Sequence, residues 1–142
     1  MNNEIEISVN NDITTEIENL AEFWHEKYET SKNVRCCFNK FHILAKEKGK
    51  IIGILIGYTA FSEIYVNDLI VSEGYRGNGI GRELLSKLEQ HFEERNYSNI
   101  NLVTNKFQAS EFYKKCGYNL EFVRENKRFP LFSKYFFIKW LN

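Results

Sequence analysis

The residues from 71 to 81 run Val71-Ser72-Glu73-Gly74-Tyr75-Arg76-Gly77-Asn78-Gly79-Ile80-Gly81, with three glycines in the last five positions. Glycine at this density lets the backbone curl until successive N–H groups face one point. The turn then runs straight into a helical pattern whose first amides have no partner within the helix. A nest of this kind on a helix N-terminus takes phosphate or pyrophosphate, and Arg76 adds a fixed positive charge. A strand-to-helix turn without a ligand needs fewer glycines. A mononucleotide loop would end in Gly-Lys-Ser/Thr, but Gly81 is followed by Arg82 and Glu83. A dinucleotide fingerprint needs a third glycine where Arg82 stands. The chemistry indicated is phosphate binding without either nucleotide signature.

The surrounding elements follow from periodicity. Residues 4–9 alternate polar and apolar and predict a half-buried strand with Ile5, Ile7 and Val9 inward. Thr15-x-x-Glu18 is a capping box opening a helix, with Ile17, Leu20, Ala21, Trp24 and Tyr28 on one face and Glu18, Glu22, Glu26 and Glu29 opposite. Strands are predicted at 41–46, 51–59 and 64–71, the first two joined at Glu47-Lys48-Gly49-Lys50. The middle strand is apolar on both faces and is expected to be covered on both. Gly53 and Gly57 share one face of it, where backbone or ligand can approach closely. A helix over 80–95 carries the arc Ile80, Leu84, Leu85, Leu88 and Phe92, with His91 at its edge. Then come a strand at 99–104, a short helix at 108–115 stopped by Gly117, and strands at 119–123 and 135–141. A strand–helix–strand unit inside a meander implies a mixed, mostly antiparallel sheet flanked by helices, an α+β fold.

The chain has 142 residues, 43% hydrophobic and 15% aromatic, which is one domain's worth (1–142) with ample material for a core. Nineteen basic and nineteen acidic residues cancel, which argues against nucleic acid as a partner. No apolar run reaches the length of a membrane span, and the polar N-terminus is unlike a signal peptide. Cys36, Cys37 and Cys116 make neither a disulfide framework nor a zinc site, which points to a reducing cytoplasm. His25, His42 and His91 lack metal-ligand spacing, so no metal is expected. Charge is unevenly placed: residues 1–30 hold eight acids against Lys27. Residues 114–139 hold seven bases against Glu121 and Glu125. Two solvated faces account for this.

Arg76-Gly77-Asn78-Gly79-Ile80-Gly81 resembles the Q/R-x-x-G-x-G/A signature of the GNAT N-acetyltransferases. Asn105 with Ala109-Ser110-Glu111-Phe112-Tyr113-Lys114-Lys115-Cys116-Gly117-Tyr118 is similar to the family's N-x-x-A-x-x-F/L-Y-x-x-x-G-F/Y segment. The order of elements agrees, so the resemblance covers essentially the whole chain and is tightest over 64–118. It implies a GNAT-like acyl-CoA acyltransferase fold and an acetyl-CoA-dependent transfer to an amine of a small molecule or peptide, by direct attack in a ternary complex. Acetyl-CoA, as co-substrate, would lie between strands 64–71 and 99–104 where they splay. Its pantetheine arm would pair with the backbone of Leu69, Ile70 and Val71, and its pyrophosphate would take the amides of Arg76, Gly77, Asn78, Gly79, Ile80 and Gly81, with Arg82. Asn105 would contact the same arm. Tyr113 matches the general acid that protonates the leaving thiolate, a task that suits a phenol neutral at physiological pH. A backbone N–H near Val71 would stabilise the oxyanion.

The general base is left open. Many relatives carry an acid on the fourth strand, and the aligned position here holds Tyr65. Alternation places Glu63, Tyr65, Asn67 and Leu69 on one face and Asp68 on the other. Glu63 or Asp68, directly or through water, are the available carboxylates. Cys116 reads as a small buried filler without an activating neighbour. By the same resemblance the acidic helix would help wall the acceptor site and favour a cationic acceptor such as a polyamine, an aminoglycoside or a lysine side chain. The aromatic last strand suggests a homodimer. A CoA-binding sensor that has lost turnover is the alternative from another functional class.

Overall fold

The computed structural model describes residues 4–108 and 110–142. It divides into two compact units, Met1–Cys36 and Cys37–Asn142. In the first, α1 spans Thr15–Ser31. Its cap is Thr14, one residue before the expected box, whose hydroxyl accepts from the Ile17 N–H at 3.3 Å. Glu16 and Glu18 in the first turn complement the helix dipole. The far end closes on Asn33 in left-handed conformation (φ 62°), while the Val34 N–H reaches back to the Glu29 carbonyl at 3.0 Å. The Glu29 carboxylate accepts from the Cys36 N–H at 3.3 Å, so this member of the acidic row serves the following loop.

The strand expected at residues 4–9 does not form. The segment joins no ladder, and Ile7 and Val9 are each 94% exposed. Alternation marks one-sidedness, but a strand exists only when a neighbour takes its N–H and C=O groups.

The second unit is one six-stranded sheet in the order β1-β2-β3-β4-β6-β5. Its strands are β1 Asn39–Glu47, β2 Lys50–Ala60, β3 Glu63–Val71, β4 Asn99–Asn105, β5 Asn119–Arg124 and β6 Lys134–Trp140. The β1–β2 hairpin turns through Lys48 (φ 49°) and Gly49 (φ 79°), the two left-handed residues a tight primed turn requires. The β3–β4 pair is parallel and the remaining pairs are antiparallel. The β3–β4 crossover carries α2, Ile80–Phe92, which buries Leu84, Leu85, Leu88 and Phe92. These pack on Leu55, Ile64, Val66, Ile100, Leu102, Tyr118 and Phe137. The helix stops at Phe92, the last residue of the apolar arc and three residues before the expected end at 95, in tight turns onto the Gln90 and Phe92 carbonyls. A third helix, α3, spans Ser110–Lys115 and meets α2 where the Phe112 ring lies against Gly81. Ala109, part of the second motif, is outside the described residues.

Both helices of this unit lie on one face of the sheet. On that side Leu55 of β2 is fully buried; on the opposite face Ile52 is buried, Ile54 half-buried and Ile56 40% exposed, so cover there is uneven along the strand. Gly53 and Gly57 serve packing: Gly53 admits Ile80 and Leu84, and Gly57 admits the Phe41 ring and the Tyr65 carbonyl. Strand β6 lies between β4 and β5, so both its backbone edges are used. Association through it would rest on side chains such as Trp140, which is 64% exposed.

Candidate active site

Strands β3 and β4 pair only from Glu63↔Asn99 to Val66↔Leu102. Beyond that they diverge, and the gap is a cleft of about 910 Å³. A β-bulge sets the divergence: Gly57 of β2 pairs with Val66, but Ile56 pairs with Asp68, leaving Asn67 as the extra residue. This corrects the simple alternation. Leu69 follows Ile64 and Val66 onto the helix-bearing face, and Asp68 and Ile70 join Glu63 and Tyr65 on the opposite one.

The strand edge facing the gap has unused donors. Successive strand N–H groups point to opposite edges. Ser72 donates across to the Ile52 carbonyl at 2.8 Å, so the N–H groups of Leu69 and Val71 point toward the gap. The floor of the cleft is then the glycine turn. Gly77 (φ 79°) and Gly79 (φ 81°) are left-handed, and a Cβ at either would meet nothing within 4 Å, so backbone conformation rather than crowding selects glycine there. Gly79 caps α2 without a side chain. The amides of Ile80, Gly81 and Arg82 therefore open into the cleft as free helix N-terminal donors.

Arg76 and Arg82 line this end, each tied by one hydrogen bond: Arg76 Nε to the Val71 carbonyl at 3.0 Å and Arg82 Nη2 to the Lys115 carbonyl at 3.1 Å. Asn78 does not line the cleft. Its side-chain Nδ2 donates to the Tyr75 carbonyl at 3.2 Å and braces the turn. Asn105 also stands outside the lining; its backbone N–H donates to Gln108 Oε1 at 2.7 Å, and its neighbours Thr104 and Gln108 face the cleft instead. Tyr75, Phe107, Phe112 and Lys115 complete the wall and were not singled out by the sequence. Phe112 sat inside the second motif, so its position was legible though its contact was not.

Tyr113 reaches the cleft from α3 on the helix-bearing side. Its ring packs against Phe112, Tyr118 and Phe137 at centroid distances of 5.2, 6.1 and 5.7 Å. Burial, then the nearby Cys116 thiol, pushes its hydroxyl up to about 12, which keeps it protonated. Burial likewise raises the Cys116 thiol, so it is poorly suited as a nucleophile. On the other face, Glu63 accepts from the Tyr65 hydroxyl and, at 3.1 Å, from Asn99 Nδ2. Asp68 lines the cleft and is exposed. His91 stands edge-on to Phe92 at 4.7 Å, away from the cleft. Among the described residues no group of His, Cys, Asp and Glu side chains could hold a metal ion.

A parallel pair that opens beyond a bulge, over a glycine turn on a helix N-terminus, makes a cleft suited to an extended ligand that ends in phosphate. The profile of the acetyltransferase (GNAT) family matches residues 10–118, and the chain belongs to that family. It is 35% identical to a blasticidin-S acetyltransferase from Streptomyces morookaense over 75 residues, 52% of this chain and 55% of that protein. The match thus spans about half the length of that curated relative. An acetyltransferase from Bacillus cereus ATCC 14579 superposes with TM-score 0.76 at 28% identity, covering 94% of this chain and 98% of that one. A Bacillus anthracis str. Ames protein solved in complex with acetyl coenzyme A shares the fold (TM-score 0.65, 22% identity, 72% of this chain and 63% of that one).

Proposed function

We propose that the protein is an acetyl-CoA-dependent N-acetyltransferase that moves an acetyl group to an amine by direct attack in a ternary complex. The observation that carries this reading is the convergence on one cleft of three features: an anion-binding helix N-terminus, a strand edge with outward N–H groups, and a buried phenol. Each fits a different part of acetyl-CoA. The amides of residues 79–82, with Arg76 and Arg82, would hold its pyrophosphate. The N–H groups of Leu69 and Val71 would pair with the amides of its extended arm, as a strand pairs, and the Val71 N–H would face the carbonyl oxygen under attack. When bound, acetyl-CoA supplies the acetyl group as an activated thioester.

Tyr113 then acts as the general acid. Its raised pKa means that the proton needed by the departing sulfur is present throughout the physiological range. The three free cysteines suit a reducing compartment, and none of them is needed in the reaction.

The test is acetyl-CoA-dependent CoA release, followed by chromatography, with blasticidin S, polyamines, aminoglycosides and lysine peptides as acceptors. The likeness to a blasticidin-S acetyltransferase is the reason that compound heads the panel. Release with one class of amine, lowered at least tenfold in Tyr113→Phe, is the expected result. CoA binding without release from any of these amines would point to the sensor alternative. Binding of ATP or NAD in place of CoA would overturn the reading of the cleft.

A further inference from the structure

Resting on the proposed function, we propose that the acceptor carries a carboxylate, held by Arg124, Lys127 and Lys134 about 10 Å from the amine that is acetylated.

The face of the sheet away from α2 and α3 leads from the cleft to these residues. Leu102 and Phe137, paired across β4 and β6, are buried in the core beneath the helices. The next pair, Val103↔Phe136, therefore points the other way, and Val103 lines the cleft. Phe136 stacks on Phe122 of β5 at 4.2 Å and 9°. The Arg124 guanidinium stands 5.1 Å from the centre of the same Phe136 ring. Val103, Phe136 and Phe122 thus make an apolar path that ends at a cation. Hydrogen-bonded strands lie about 4.8 Å apart, so from β4 across β6 to β5 the path covers about 10 Å.

At its end is a second hollow, of about 410 Å³, lined by Arg124, Glu125, Asn126, Lys127, Phe132 and Lys134. It abuts the cleft, since Phe132 meets Phe107 of the cleft wall at 6.3 Å. The Lys106 N–H donates to the Ser133 carbonyl at 2.8 Å and ties the loop 125–133 to the end of β4. Within that loop the buried Ser133 hydroxyl accepts from the Asn126 N–H at 2.9 Å, and Asn126 Oδ1 accepts from the Phe129 N–H at 2.9 Å. These bonds give the hollow a fixed wall.

Three cations and one carboxylate face it. Arg124 and Lys134 are directly opposite in the β5–β6 register, and like charges so placed repel and cost stability. The ion pairs among the described residues are Lys114–Glu111 and Lys139–Glu89, so the three cations of the hollow take no carboxylate of the chain. A carboxylate from outside relieves the repulsion and accepts charge-assisted hydrogen bonds from both strands, in parallel from the guanidinium fork. The basic stretch of residues 114–139 thereby has a local use. An acceptor that fits has its amine in the cleft, an apolar middle on Phe136 and Phe122, and its carboxylate in the hollow.

The test compares glycyl-phenylalanyl-glycine as the free acid and as the C-terminal amide. Three extended residues span about 10 Å, and the two forms differ in the charge at issue. Acetyl transfer to each is measured at saturating acetyl-CoA in wild type, Lys127→Gln and the double variant Arg124→Gln/Lys134→Gln, beside the amines of the panel above. In wild type the acid is expected to exceed the amide at least tenfold in kcat/KM, chiefly through KM, because the contact is remote from the reacting atoms. The preference should shrink in Lys127→Gln, fall to within about twofold in the double variant, and fade in wild type at about 1 M salt. Removing a like-charge pair should leave the urea midpoint no lower. Equal rates for acid and amide, a preference that survives in the double variant, or no reaction of either peptide while another amine reacts would overturn the carboxylate site and leave the transferase reading standing. A CoA affinity that drops in the double variant by calorimetry, with dephospho-CoA unaffected, would assign the cations to CoA's own phosphate and overturn the site likewise. A wild type that binds CoA but acetylates no amine would overturn both.

Discussion

Tyr113 shows how packing prepares a side chain for one chemical task. Phe112, Tyr118 and Phe137 surround its ring and deny water to the hydroxyl, and the pKa rises from 10.0 to about 12. The same shift makes a stability statement. Above pH 10.0 the unfolded chain releases this proton while the folded chain keeps it, so the folded state loses ground as pH climbs toward about 12. Below pH 10.0 the two states bind the proton equally and stability is insensitive to the group. Tyr113→Phe should therefore show a shallower decline in urea midpoint than wild type between these two pH values. An identical decline in both proteins would mean that Tyr113 is not shifted by its surroundings. The position was legible in the sequence from its motif, but the environment that suits it to proton donation comes from residues as far away as Phe137.

Element geometry turns on the bulge opposite Gly57. One extra residue in β3 reverses which side chains face the helices, and it falls at the point where β4 stops pairing. Gly57 is what lets β2, β3 and Phe41 come together there: a Cβ would overlap the Tyr65 carbonyl and lie 2.8 Å from Phe41 Cζ. Gly57→Ala is expected to cost about 1–3 kcal/mol of stability in denaturant titration, as overpacked sites do. It should also weaken CoA binding, since relief of the overlap moves β3 at the fork. A stable variant with wild-type affinity would show that the strand can slide without disturbing the cleft. No sequence pattern announced the bulge, because an inserted residue in a ladder is defined by the partner strand and not by the strand itself.

For the whole molecule, the cleft is assembled entirely within residues 37–142, from β3, the glycine turn, α2, β4 and α3. A ligand that bridges these elements stabilises the folded state by mass action, about 2.7 kcal/mol at a hundred times its Kd. CoA at that excess should raise the unfolding midpoint and slow amide exchange at residues 69–71 and 79–82, with little change in the helix of the first unit. Protection confined to other strands would place the ligand elsewhere.

What the sequence determined by itself was local. The glycine turn, the α2 apolar arc, the β1–β2 hairpin and the Tyr113 motif are each written in contiguous residues, because turn conformations, helical periodicity and helix stops depend on near neighbours. Tertiary structure decided the rest. Residues 4–9 alternate as a strand should, yet they form none, since a ladder needs a second chain segment. Asn78 and Asn105 belong to the motifs, yet that the Asn78 side chain donates to the Tyr75 carbonyl and the Asn105 N–H to Gln108 Oε1 shows only in the folded turns. The bond from Asn99 to Glu63, 36 positions away along the chain, arises only when two parallel strands lie side by side. Strand pairing brings together groups whose separation in sequence gives no sign of their proximity, and where that pairing ends a cleft is made out of a turn, a phenol and an open strand edge.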